Sequence, residues 1–356
     1  MSTIDPFAEH PDHAYHDLRV ARIVEETPDA RSIIFEIPQE LASTYRYKAG
    51  QFLTLKIPFE GKDLVRCYSL ASSPDTESEH KVTVKRVDDG RISNWLNDQV
   101  KAGDILKVLP PGGLFTLEQG DHPVFLFGGG SGITPVISII KTALATTSRR
   151  LKLVYANRNR DSIIFASELA QLCEANQGRL EIVHTLDDTD GYLDAGRAAT
   201  MIEGWLDAEF YMCGPAPFMA VVREALVATG VADARVHSEE FVSPPDPDVA
   251  AVAYAEKAAS VGGDLPELIE VHLDGKSSEV AYERGQTVLV AAQAAGLEPP
   301  FSCTDGFCGC CMAKLEAGQV EMLNNDFLSA KEIGDGWVLT CQSVPTTRQC
   351  KIRYPD

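Results

Sequence analysis

The sequence predicts a multidomain chain: an antiparallel Greek-key β-barrel, then an α/β domain with a parallel sheet, then a small α+β domain. Three observations predict it. Short β-like runs broken by glycine and proline turns fill residues 18 to 118. A fully apolar strand, a glycine-rich turn and an amphipathic helical run then follow one another from Pro123 to Ala145. Near the C-terminus, Cys303, Cys308, Cys311 and Cys341 are separated by four, two and twenty-nine residues. The division expected is a tail over 1–17, the barrel over 18–118, the α/β domain over 119–243, a linker over 244–265 and the last domain over 266–356.

Length and composition bound the function. A chain of 356 residues with 44% hydrophobic content suits two or three domains with real cores. Its 32 basic and 52 acidic residues leave a net charge of −20. That balance argues against a nucleic-acid partner or an anionic membrane surface, and suits docking to basic patches. No stretch approaches the length of apolar sequence that spans a bilayer, and the N-terminal residues hold no apolar signal core. Nine cysteines, an odd number clustered late, do not make a secreted disulfide framework; a reducing cytoplasm is expected.

In the barrel, strands are expected at Ser32–Ile37, Phe52–Ile57, Lys81–Val87 and Ile105–Val108, with turns at Ala49-Gly50, Glu60-Gly61 and Pro110-Pro111-Gly112-Gly113. Among them lie Arg66-Cys-Tyr68-Ser69-Leu70, Val84-Lys85-Arg86 and Gly90-Arg-Ile92-Ser93-Asn94. A flavin needs an aromatic face, a hydroxyl near N5, and a cation with helix-start amides for its pyrophosphate. Tyr68, Ser69, Arg66 and the Gly90–Asn94 turn could supply these in that order. The competing reading is a packed strand tyrosine and a solvated Arg86.

In the α/β domain, Pro123–Phe127 leads into Gly128-Gly129-Gly130-Ser131-Gly132-Ile133-Thr134-Pro135 and a helix over Val136–Ala145. Strand, glycine turn and helix aim backbone amides at a phosphate. Ile133 stands where the dinucleotide fingerprint has its third glycine, so that fingerprint is absent. The strand Leu151–Ala156 ends in Arg158, Arg160, Asp161 and Ser162, which leaves NADH against NADPH open. A helix over 165–175 and a strand at Leu180–Thr185 continue the alternation, and Glu209–Met219 repeats strand, turn and helix start through Cys213-Gly214-Pro215 and Phe218-Met219. Val236–Phe241, with Glu239, ends the domain.

The proline-rich stretch from Ser243 reads as a linker. Beyond it, Ile269–Leu273 and Ser278–Tyr282 flank Asp274-Gly275 as a hairpin, and Thr287 caps a helix over Val288–Ala295 that stops at Gly296. Strands follow at Met312–Leu315 and Val338–Thr340. The cysteine spacing is that of a plant-type [2Fe–2S] centre. A closed zinc site is the alternative, although zinc ribbons pair two short C-x2-C knuckles and this loop has one. Cys310, inside the two-residue gap, is expected to face away from the metal as a non-ligand, and Cys350 to sit in a terminal strand.

These motifs together resemble the ferredoxin–NADP reductase superfamily, and over residues 18–356 the reductase components of bacterial multicomponent oxygenases. The resemblance implies a C-terminal ferredoxin domain of β-grasp type. It implies FAD on Arg66, Tyr68, Ser69, Leu70, Val84, Lys85, Arg86, Gly90, Ile92, Ser93 and Asn94, with Ser69 at N5. It implies NADH, slightly favoured, or NADPH on Gly129, Gly130, Ser131, Gly132, Thr134, Arg158, Ser162, Gly214, Pro215, Phe218 and Met219. Cys213 and Glu239 would stand beside the nicotinamide, and Phe241 would cover the flavin face. Cys303, Cys308, Cys311 and Cys341 would hold the cluster. Stretches such as Arg66–Ser73 and Asp326-Phe327-Leu328 look most like the reductase components of 3-ketosteroid 9α-hydroxylases. Those of phenylacetyl-CoA oxygenases are similar nearly throughout. The resemblance thus implies a monomeric electron-transfer enzyme whose partner is a terminal oxygenase: a Rieske-type steroid hydroxylase, or a diiron epoxidase as the alternative. A non-catalytic zinc or redox module is the more distant reading.

Overall fold

The computed structural model describes residues 15–241 and 256–354, apart from residues 302, 326 and 329. Six strands form the first sheet: β1 (His16–Thr27), β2 (Ala30–Glu36), β3 (Phe52–Phe59), β4 (Lys62–Ser69), β5 (His80–Lys85) and β6 (Ile105–Val108). Their order is β4-β3-β6-β1-β2-β5, and every pair is antiparallel. A bridge between Leu70 and Val82 joins the two edges and closes the barrel. Leu18, Val20, Ile33, Leu53, Leu55 and Val82 fill it. Where only a turn is read in the sequence, a helix runs over Arg91–Gln99. Polar Asn94, Asn97 and Asp98 mask it, but Ile92 and Leu96, four apart on one face, are buried in the barrel core.

The second sheet is wholly parallel, in the order β11-β10-β7-β8-β9. Its strands are β7 (Val124–Gly129), β8 (Leu151–Asn157), β9 (Leu180–Leu186), β10 (Glu209–Gly214) and β11 (Val236–Glu240). The chain leaves β7 toward β8 on one side and returns to β10 on the other. The crevice beyond the ends of β7 and β10 is therefore a topological switch point, where such sheets bind ligands.

The helix Ile133–Thr146 is buried over most of its surface because it lies between this sheet and the barrel. Its polar residues hold the two domains together. Ser138 Oγ donates to the Ser72 carbonyl at 2.5 Å, and the Ser73 and Thr142 hydroxyls meet at 2.7 Å. Lys141 Nζ reaches Glu77 at 2.6 Å and Glu168 at 2.9 Å, and Lys81 of the barrel reaches Glu168 at 3.2 Å.

The third sheet is mixed: β12 (Leu268–Leu273), β13 (Lys276–Ala281), β14 (Met312–Met322), β15 (Trp337–Leu339) and β16 (Ser343–Arg353), in the order β13-β12-β16-β14-β15. Only β12 and β16 pair in parallel. The helix Val288–Ala294 packs on it, with Thr287 Oγ1 accepting from the Val290 amide at 3.4 Å. Strand β14 continues seven residues past the Leu315 expected as its end. Register shifts after Leu315 and Gly318 break the alternation that marks a strand in sequence. Cys350 is buried within β16.

Of the expected linker, 244–255 lies outside the described residues. The remainder is not free: residues 256–260 are helical, and Ala258 and Val261 are buried against Leu323 and Val344. Those two apolar contacts bind the segment to the C-terminal domain. All nine cysteines are free thiols. Among the described residues no helix is long and apolar enough to cross a membrane.

Candidate active site where three domains meet

A cavity of about 1160 Å³ opens between the barrel, the crevice of the parallel sheet and the cysteine loop. From the barrel, Arg66, Tyr68, Ser69, Lys85 and Gly90–Ser93 line it. The crevice contributes Ser131, Thr134, Gly214, Pro215, Glu239 and Phe241; the third domain contributes Phe307, Asn325, Phe327 and Leu328.

On the barrel side, burial works against the Arg66 charge, whereas Tyr68 and, from the cysteine loop, Asp305 favour it. The first amides of a helix have no acceptor within it, and Arg91, Ile92 and Ser93 bring such a helix start to the cavity wall. The turn before it is held by Ser93 Oγ, which accepts from the Val87 amide at 3.2 Å, and by Asn94 Nδ2, which donates to the Val87 carbonyl at 3.2 Å. Together these form an anion cradle with a cation beside it.

Four of the residues expected to hold FAD stand outside the cavity wall. Leu70 and Val84 turn their side chains into the barrel core and bring none to the cavity. Arg86 pairs with Asp98 at 2.6 Å and does not line the cavity; its neighbour Lys85 does. Asn94 supports the turn without itself lining the wall.

On the nicotinamide side, the glycines serve close packing. A Cβ on Gly132 would run into the backbone of Cys213, and one on Gly129 would lie 2.8 Å from the Phe218 ring. The loops after β7 and β10 can therefore touch. Cys213 is fully buried and stands in register with Gly128 on one side and Glu239 on the other. Burial pushes its thiol well up, and Glu239 adds to this. Phe218 packs over Gly129 and Gly214, and Met219 is buried in the core behind them; neither lines the cavity. Ser162 is also away from it, exchanging hydrogen bonds with Asn159 as a helix cap. Arg158 is held by Asp29 of the barrel at 2.5 Å, and Asp29 also lies 3.9 Å from Lys85.

Ser69 Oγ donates to Glu239 Oε2 at 2.9 Å, linking the end of β4 to the end of β11. Burial pushes the Glu239 carboxyl up to about 8, against the pull of Ser69. Its ordinary value is about 4.3. Between those values the folded chain binds more protons than the unfolded one, so stability falls as pH rises through that window. Glu239→Gln removes the titration. Thermal unfolding of flavin-stripped protein should lose less stability from pH 5 to pH 8 in the variant than in the parent. Parallel curves would show that Glu239 does not titrate there.

In the cysteine loop, the Asp305 amide points at Cys303 Sγ at 3.4 Å, and the Cys303 amide at Cys308 Sγ at 3.5 Å. Cys303 lies within hydrogen-bonding reach of Cys308 and Cys341, and Cys341 of Cys311. The loop is pinned by Asn324 Nδ2 on the Asp305 carbonyl at 2.8 Å and Gln342 Nε2 on the Thr304 carbonyl at 2.6 Å. Among the described residues no three His, Cys, Asp or Glu side chains are set to hold a single ion. The fit to a [2Fe–2S] centre rests instead on four neighbouring buried thiols and on amides aimed at sulfur. Cys310 is within reach of Cys308 and packs toward the barrel, with Leu109 and the partly buried Cys67.

An antiparallel barrel with an anion cradle, a parallel sheet with a ligand crevice and a thiol-lined β-grasp domain, all opening on one cavity, define an iron–sulfur flavoprotein reductase. Three domain families match in that order: an oxidoreductase FAD-binding domain over residues 17–117, an oxidoreductase NAD-binding domain over 126–224 and a 2Fe-2S iron-sulfur cluster binding domain over 271–346. The chain is 45% identical to the ferredoxin reductase component of 3-ketosteroid-9-alpha-monooxygenase from Rhodococcus rhodochrous, covering 95% of this chain and 96% of that one. It is 34% identical to one component of the 1,2-phenylacetyl-CoA epoxidase of Escherichia coli, covering 96% and 98%. The chain belongs to the family of ferredoxin reductase components of bacterial monooxygenases. The crystal structure of phthalate dioxygenase reductase shares the fold, with a TM-score of 0.58 at 24% identity over 96% of this chain and 98% of that one.

Phe52 and Phe115 have no site signal in the sequence: they read there as ordinary apolar residues, and only the fold brings them to this wall.

Proposed function

We propose that the chain oxidises NADH and delivers single electrons to the oxygenase component of a steroid hydroxylase. The observation that carries this is the single cavity walled by all three domains. FAD and a [2Fe–2S] centre supply the exchange between two-electron and one-electron chemistry. The chain's own residues bind and orient. Arg66, Lys85 and the helix start at Gly90–Ser93 would hold the FAD pyrophosphate, and Tyr68 its ring. Ser69 would place a hydroxyl at N5, backed by Glu239. Thr134, Cys213 and Glu239 would position the nicotinamide, and Phe241 would cover the face. Cys303, Cys308, Cys311 and Cys341 would hold the cluster, with Cys310 outside the ligand set. No general base is needed.

The steroid oxygenase is favoured because the relative named for it is 45% identical, against 34% for the epoxidase component. Reconstitution with each oxygenase type, following NADH use and product together, tests this. Product with the epoxidase and none with the steroid oxygenase would reverse the assignment. A colourless protein carrying zinc would overturn the reductase reading altogether. A monomer in the cytoplasm fits a chain that holds the whole relay.

NADH is favoured because Asp29 occupies Arg158, one of the two arginines after β8 that could take a 2′-phosphate. Asp29→Ala frees it. The expected result is a lower KM for NADPH with the KM for NADH little changed. Unaltered NADPH kinetics would remove Arg158 from the specificity argument.

A further inference from the structure

We propose that Phe327 is the positioning residue that seats the cysteine loop on the flavin barrel. The inference rests on the electron-transfer reading above and deepens it. That reading needs the loop held against the barrel, and the two surfaces do meet: Cys303, Cys308 and Cys310 are buried with Leu109, and Val65, Cys67 and Phe307 pack around them. Across this seam Asp305 of the cysteine loop favours the Arg66 charge, and the apolar contacts by themselves set no register.

Phe327 supplies a shape that does. Its ring lies flat on Gly309 in the middle of the cysteine loop, so that any side chain at 309 would collide with three ring carbons. Gly309 also has φ 73°, so glycine is required there twice over. The ring also lies beside the barrel's own loop, where a Cβ on Gly112 would stand 4.0 Å from Phe327 Cε2. The ring packs with Cys311, Cys341, Met312 and Leu328, and it lines the cavity. It therefore packs on the shell of the thiols, lines the cavity and stands next to the barrel loop. The backbone beneath it is fixed by Asn325, whose Oδ1 accepts from the Leu328 amide at 2.8 Å and whose Nδ2 donates to the Leu328 carbonyl at 2.8 Å. A rigid ring packed tightly on the cysteine-loop backbone and set beside the barrel loop fixes a separation in a way that a slippery apolar seam does not.

Each internal transfer oxidises the reduced flavin by one electron and reduces the cluster by one. Its rate depends on the separation Phe327 sets. The test uses the holoprotein carrying Phe327→Ala, and Phe327→Leu as a variant that keeps apolar volume but loses the flat ring. Hydrogen exchange read by mass spectrometry is the first measurement, on peptides covering 65–69 and 303–311. Cluster reduction after mixing with NADH, followed by stopped flow, is the second. Iron content and the visible spectrum confirm that both cofactors are present.

In Phe327→Ala, exchange in both peptides should rise and cluster reduction should slow by about tenfold or more, the factor that 1.4 kcal/mol represents. Phe327→Leu should fall between the variant and the parent. If Phe327→Ala loses iron, Phe327→Leu is read alone against the same two measurements. Parental exchange and parental cluster reduction in an iron-replete variant would overturn the positioning role while leaving the reductase reading intact. Failure of the parent itself to reduce its cluster with NADH would sink the reading on which the proposal rests.

Discussion

Cys308→Ser is expected to abolish electron delivery to an oxygenase or to cytochrome c while NADH oxidation with ferricyanide continues. The loop shows why the effect is all-or-none. Cys308 Sγ accepts from the Cys303 amide at 3.5 Å and is in reach of Cys303, so it is one of the four neighbouring thiols on which the fit to the cluster rests. A serine hydroxyl at that place is a poor, hard donor for iron, and three remaining thiols leave an iron without its ligand. Ferricyanide is small enough to take electrons at the flavin, and Cys308 is absent from the cavity wall. Flavin absorbance should be retained and the iron–sulfur shoulder lost. Undiminished transfer to the protein acceptor would mean that the cluster is not the exit.

Lys141→Met is expected to destabilise the joint between the first two domains by about 2 to 4 kcal/mol. Breaking one partner of a buried ion pair costs about 3 to 5 kcal/mol. The figure is set lower because the Glu77 and Glu168 side chains are 27% and 31% exposed, whereas Lys141 is 6% exposed. The helix carrying Lys141 is packed on both sides, so Glu168 would keep only Lys81 and Glu77 only the Ser73 amide. Burial alone would push the Glu168 carboxyl up; Lys141 and Lys81 outweigh it and hold the carboxyl below its ordinary value. A carboxyl lowered in the folded state contributes stability above its unfolded pKa and loses it as pH falls through the folded one. The gap between variant and parent should therefore be full at pH 7 and narrow in acid. Denaturant midpoints across that range measure it. A gap below about 0.5 kcal/mol at pH 7, the size of an ordinary surface change, would show that the network is decorative.

The cysteine loop was legible because its chemistry is local: four thiols at fixed spacing carry their own meaning. The strand, glycine turn and helix at residues 124–146 were legible for the same reason, although the helix gives no sign in sequence that the barrel covers its second face. What was not legible is pairing across distance. In the sequence Arg158 is open between a phosphate ligand and a solvated loop arginine, and its partner Asp29, 129 residues earlier, is found only in the fold. Arg86 and Lys85 are neighbours with equal claims on the cavity, and only the course of β5 into its turn decides between them. Phe327 belongs to a stretch that carries the resemblance, but nothing in the sequence gives its place, which depends on Gly309 in the cysteine loop.

The burial of the loop thiols has one more consequence. Cys303, Cys308, Cys310, Cys311 and Cys341 are each less than a tenth exposed. A reduced metal centre open to water would meet dissolved dioxygen and lose electrons to it as superoxide. Here Leu109, Phe307 and the barrel surface form a jacket on one side, and Leu289, Leu328 and Leu339 form one on the other. Electrons on a centre held there would be shielded from dioxygen by those leucines, which act as the insulation of a conductor.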